Sequence, residues 1–140
     1  MTDWMLFALG SAIFAGLTAI LGKIGVAGIP SNLATLIRTA VVLAFITLLV
    51  SLRRQWPQAG QLGSRSVLFL VLSGVTTGLS WLCYYRALQS GPASLVASLD
   101  KLSLAIAVIL AVAVLGERLT MWQWLGAALM TAGALLLALA

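Results

Sequence analysis

The chain has 140 residues, 62% of them hydrophobic and only 8% charged, with a mean hydropathy of +1.13. A water-soluble domain carries about 25% charged residues, so this composition excludes a soluble globular protein and specifies an integral membrane protein. Histidine is absent and cysteine occurs once, which excludes a disulfide framework and a Cys/His metal centre. Three acids in all argue against a two-metal site or a paired-carboxylate enzyme.

Five continuously apolar segments, separated by short breaks, are the predicted elements. They cover about residues 4–21, 32–52, 66–88, 94–115 and 121–140. Each is long enough for a helix crossing a hydrocarbon core of about 30 Å, and none alternates as a barrel strand must. The first segment follows Asp3 rather than a basic leader. Its apolar run outlasts a signal-peptide h-region, so it is expected to stay as the first span. Lys23 and the Gly25–Pro30 turn close it, and the second segment carries Arg38 near its start. A polar loop follows, residues 53–65, with Pro57 and Gly60 as breakers.

The third segment carries Gly74 and Gly78 at GxxxG spacing, on the face shared with Trp81 and Tyr85. It also carries Ser73, Thr76, Thr77 and Ser80, whose hydroxyls either face a cavity or bond back to their own helix. Gly91-Pro92 separates it from the fourth segment. The strictly apolar part of that fourth segment, residues 104–115, is too short to span alone. If it begins at Ser94, then Asp100 and Lys101 lie inside the span, roughly 9 to 10 Å from its start. The last segment carries a small-residue stripe, Ala127, Thr131, Ala134 and Ala138, of the kind that lets backbones approach closely in lipid. Such a stripe serves packing within one chain or between chains; a terminal span has few neighbours in its own chain, which favours a dimer interface.

An odd number of spans puts the termini on opposite sides. Trp4, Trp56, Trp122 and Trp124 then share one face as an aromatic belt. The net charge of +5 would suggest nucleic acid in a soluble chain. Here no basic patch is interleaved with aromatics, and cations at span ends are expected to anchor to lipid phosphates. Arg53, Arg54, Arg65 and Arg118 fall on the N-terminal face, and Lys23, Arg38, Arg86 and Lys101 on the other. Counted in full the balance is four against four; with the two deepest, Arg38 and Lys101, set aside it is four against two, a weak bias towards a cytoplasmic N-terminus.

The ionisable residues of the second layer are the candidate functional groups, because charge inside a membrane is costly. Lys23 and Arg86 lie near span ends, where snorkelling to headgroups competes with a solute role. Arg38 lies deeper, and is open to structural pairing or transport. Asp100 is the one acid inside a span, able either to hold a static salt bridge or to exchange a proton. On a regular helix Lys101 points about 100° away from Asp100, so a direct pair between them is not expected. Trp81, Tyr84 and Tyr85 could line a pocket for an apolar or cationic solute, the tyrosines competing for an interface belt. Glu117, after Gly116, is expected to end a helix rather than to meet a solute.

Lys23, Pro30 and Arg38, then Tyr84-Tyr85-Arg86-Ala87-Leu88, Gly91, Asp100-Lys101-Leu102-Ser103, Gly116-Glu117 and Gln123 with Gly126 form an ordered pattern. In this order they resemble the EamA-type domain of the drug/metabolite transporter superfamily, most closely its small single-domain bacterial and archaeal members. The resemblance covers essentially all of residues 1–140 and implies a five-helix unit, of which larger relatives hold two, inverted with respect to each other. One unit then needs a second, oppositely inserted copy.

The expectation is therefore an all-α integral membrane protein with five transmembrane helices, half of a ten-helix inverted-repeat carrier, multi-pass in the cell membrane. It works as an antiparallel homodimer in lipid on a small-molecule solute, by alternating access, with no cofactor, metal or catalytic residue. Two rivals are an accessory subunit pairing with a different chain and a flippase for a lipid-linked intermediate.

Overall fold

The structure, a computed structural model, describes residues 2–139. Seven helices follow one another: α1 (Asp3–Gly25), α2 (Ser31–Leu52), α3 (Trp56–Ala59), α4 (Ser64–Ser90), α5 (Ala93–Asp100), α6 (Leu102–Leu115) and α7 (Met121–Leu139). α5 and α6 together make one span, so five helical segments are long and apolar enough to cross a membrane. No strand occurs among the described residues. In hydrocarbon a backbone must satisfy its own hydrogen bonds, and the helix does so within each segment.

The helices outrun the apolar runs. α1 reaches Gly25 rather than Leu21, and α4 runs from Ser64 to Ser90, because polar end residues can continue a helix into the headgroups. The loop after α2 is more ordered than its composition suggests. Pro57 sits in the first turn of the single-turn α3, where its missing N–H costs nothing, and the Trp56 indole N–H donates to Ser51 Oγ at 3.0 Å.

The helix ends have identifiable stops. Pro30 and Pro92 stand at the N-caps of α2 and α5. Gly116 closes α6 in the left-handed conformation (φ 70°), and the Glu117 N–H returns to the Ala111 carbonyl at 3.2 Å. Glu117 thus terminates a helix, as expected. α7 opens on a capping box that the sequence reading passed over. The Thr120 N–H and hydroxyl donate to Gln123 Oε1 at 2.8 and 3.1 Å, while the Gln123 N–H points back to Thr120 Oγ1. Thr120→Ala is expected to destabilise the start of α7 by about 1 kcal/mol, read as a lower melting temperature and faster amide exchange in its first turn.

The chain forms two compact units, Gly22–Gln89 and the combination of Met1–Leu21 with Ser90–Ala140. In Gly22–Gln89 the packed centre holds Gly22, Val26, Ser31, Ala34, Thr35, Tyr85 and Leu88, all buried. Two long-range contacts fasten it. The Lys23 ammonium donates to the Leu88 carbonyl, and the Gln89 amide donates to the Ile29 carbonyl at 2.6 Å. The Leu88 carbonyl belongs to the last turn of α4, which lacks helical partners and favours a cation.

In the other unit α7 packs on α5 and α6. The least exposed side of α7 is its small-residue stripe, with Ala134 buried and Ala127, Thr131 and Ala138 half-buried. Leu129, Leu136 and Leu139 are outward and exposed. Small side chains thus bring α7 close to its own chain, and the large ones point outward.

Candidate functional site

Two charged loci lie within the spans, one in each unit. In Gly22–Gln89, Arg38 stands seven positions into α2, about 10 Å along the helix. Its guanidinium carbon lies 3.9 Å from the Trp81 ring centroid and 5.5 Å from that of Tyr85. Trp81 and Tyr85 are four residues apart, on one face of α4. They form a shelf of two rings under one cation. A guanidinium over an indole is stabilised by about 0.5–2 kcal/mol, more as water is excluded.

The shelf is held from behind. Tyr84 meets Tyr85 edge to face at 6.4 Å, and Tyr85 itself is buried. A Cβ placed on Gly22 would come within 3.2 Å of the Tyr85 hydroxyl, so glycine there lets α1 approach the ring. Gly22→Leu is expected to overpack this contact by about 1–3 kcal/mol and to tilt Tyr85 away from Arg38. Gly22→Ala asks only for a small ring shift, so a melting series of wild type, Ala and Leu should fall mainly at the last step.

Of the other residues of this layer, Lys23 is bound to the end of α4, as described above. That is a helix-capping position. Arg86 follows Tyr85 by one residue, about 100° round the helix, and is exposed. Thr76 bonds back to the Leu72 and Ser73 carbonyls, so its hydroxyl serves its own helix.

The second locus is in the other unit. Asp100 ends α5, and Lys101 stands alone between α5 and α6 with φ −69° and ψ −10°. Here the hydrogen bonds tighten to three-residue steps, from Lys101 N–H to the Ser98 carbonyl and from Leu104 N–H to the Lys101 carbonyl. Lys101 Nζ and Asp100 Oδ2 are 3.7 Å apart, which corrects the expectation that the two point apart. That expectation assumed an unbroken helix, whereas the tight turn at Lys101 swings the neighbours together. The pair lies about 10 Å into the span that Ala93 begins. Its side chains are 40% (Asp100) and 56% (Lys101) exposed.

Sequence reasoning named the members of both loci. It missed Gly22 as a support for Tyr85, for which only its place in a row of small residues at helical spacing on α1, Ala8, Ala12, Ala15, Ala19 and Gly22, was a signal. It also offered Trp81 and Tyr85 to a solute, whereas Arg38 lies over both rings.

The comparisons agree with this architecture. The sequence profile of the EamA-like transporter family matches residues 2–139. A protein of Sinorhizobium sp. described as an uncharacterized transporter in the cobO 3' region is 52% identical over 136 residues, covering 97% of this chain and 96% of that protein. No solved structure matches the chain. With five apolar spans and a family match from residue 2 to residue 139, this multi-pass membrane protein belongs to the EamA-like transporter family.

Proposed function

We propose that this chain is one half of a secondary carrier, and that two copies inserted in opposite orientations translocate a small solute by alternating access. The observation that carries this reading is the Asp100–Lys101 pair. It sits at a break within a span, with both side chains substantially exposed on the single chain. Exposed to lipid, such a pair is costly. Facing a water-filled path or a second chain, it is the kind of charged, interrupted-helix position around which carriers build sites. Two further facts support pairing. An odd number of spans with balanced charge suits either orientation, and the Sinorhizobium relative is of matching length rather than twice as long. Asp100 is the proposed coupling group and Arg38 the proposed solute contact, in a cycle with no chemical step.

The test is a pair of reporters, one active only in the cytoplasm and one only outside it, fused in turn after α7. Signal from both, together with disulfide trapping of antiparallel pairs, is the expected result. If every copy faces the same way, the pairing is with a different chain and the proposal fails.

A further inference from the structure

We propose that Arg38, held over the Trp81 and Tyr85 rings, receives an oxyanion (carboxylate or phosphate) of the solute, so that the carrier takes anionic rather than cationic molecules. This rests on the transporter reading above and deepens it by naming the class of solute. Four observations lead to it.

The first is occupancy. Ring faces attract cations, and here the cation is supplied by the protein, 3.9 Å from the Trp81 centroid. A cationic solute would have to displace an arginine that remains charged under all ordinary conditions.

The second is what stacking leaves unused. A guanidinium presents five N–H donors around its rim. Among the described residues the contacts of Arg38 are the two rings, with no ion pair and no hydrogen bond. The rings hold the cation in place and leave its N–H donors for a ligand. A rim of that geometry matches two oxygens of a carboxylate or phosphate.

The third is the lack of any acid in the same unit. Between Gly22 and Gln89 the chain holds Lys23, Arg38, Arg53, Arg54, Arg65 and Arg86 and not one Asp or Glu. The counter-charge for Arg38 therefore cannot come from its own unit, although a cation some 10 Å into a span needs one.

The fourth is room. Gly74, Gly78, Trp81 and Tyr85 follow one another at steps of four, three and four on one face of α4. A Cβ added at Gly74 or Gly78 would meet nothing within 4 Å. The face that holds the rings thus continues, deeper into the span, as a surface that the chain itself leaves uncovered over about 10 Å. An oxyanion at Arg38 has space beside it for the remainder of a small solute.

The test uses the purified full-length chain in neutral detergent, with tryptophan fluorescence read in a Trp4→Phe, Trp56→Phe, Trp122→Phe, Trp124→Phe background that leaves Trp81 as the sole reporter. The probes are succinate, glutamate and inorganic phosphate, set against tetraphenylphosphonium. At least one oxyanion is expected to raise the melting temperature and change Trp81 emission saturably. Arg38→Gln should weaken that response about ten-fold or more. Arg38→Lys, which keeps the charge but not the fork, should weaken it less, and the elution profile shows whether each variant is folded.

A response to tetraphenylphosphonium that survives Arg38→Gln overturns the proposal, as does the absence of a response to all three oxyanions. A lipid phosphate has the same chemistry. If phosphatidylglycerol nanodiscs produce the Arg38-dependent change and soluble anions do not, the site is a lipid contact and the proposal fails. Oxyanion binding without counterflow in proteoliposomes sinks the transporter reading alone. Counterflow of a cationic or neutral solute that persists in Arg38→Gln sinks this inference alone.

Discussion

Uptake by the chain expressed alone is expected to fall to background when Gln58→Lys and Gln61→Lys are introduced together, and to return when a second, oppositely biased variant is supplied. The physical basis is the charge balance. The α2–α4 and α6–α7 loops carry Arg53, Arg54, Arg65 and Arg118, against Lys23, Arg38, Arg86 and Lys101 on the other side. Two added lysines make the balance six to four, and orientation follows the Lys/Arg excess of short loops. Every copy then inserts one way and no antiparallel pair forms. Arg53→Gln with Arg54→Gln gives two against four with Arg38 and Lys101 counted at their span flanks, the reverse bias, and should be equally inactive alone. Co-expression of the two fixed forms restores the missing orientation. Counterflow in membrane vesicles is the measurement, with a reporter after α7 confirming the orientation of each variant. Full activity of a single fixed form would show that one orientation suffices.

The second large effect concerns Asp100 and Lys101. Asp100→Asn leaves Lys101 unpaired within a span, and lone charges there disfavour insertion, so membrane accumulation should drop by about ten-fold. The double variant Asp100→Asn, Lys101→Gln removes both charges and should recover accumulation. The two readings of the pair part at this point. If Asp100 serves only as a strut, transport returns with the folded protein. If it carries the coupling proton, transport stays at least ten-fold down per folded molecule, about 1.4 kcal/mol of lost coupling, and no longer responds to an imposed proton gradient. The quantity to compare is the initial counterflow rate divided by folded protein.

The spans were readable because lipid imposes a one-dimensional rule. A segment either stays apolar long enough to cross or it does not, and all five segments passed that test. What lies across from what was not readable. Nothing in the order of residues says that Arg38 on α2 reaches the height of Trp81 on α4, because that register is set by the packing between helices. The stripe on α7 shows the same limit. Spacing identifies a close-packing face, but the same spacing serves a neighbour in the chain or one outside it. At Asp100 the error came from assuming a regular helix through a sequence whose local turn tightens. The Thr120–Gln123 box was legible from its residue types alone, though it bears on stability rather than on transport.

α4 carries one further implication. Arg65 and Arg86, near its two ends, bracket a stretch of 21 steps, about 31 Å at 1.5 Å each, close to the thickness of an average hydrocarbon slab. With both guanidinium groups at phosphate level, Trp81 lies only five steps, or about 7 Å, beneath one surface. In an upside-down pair the twin shelf lies equally shallow beneath the opposite surface. The solute then meets two landings, one inside each doorway, and the crossing becomes a hand-over between identical stations rather than a stop at a single central one.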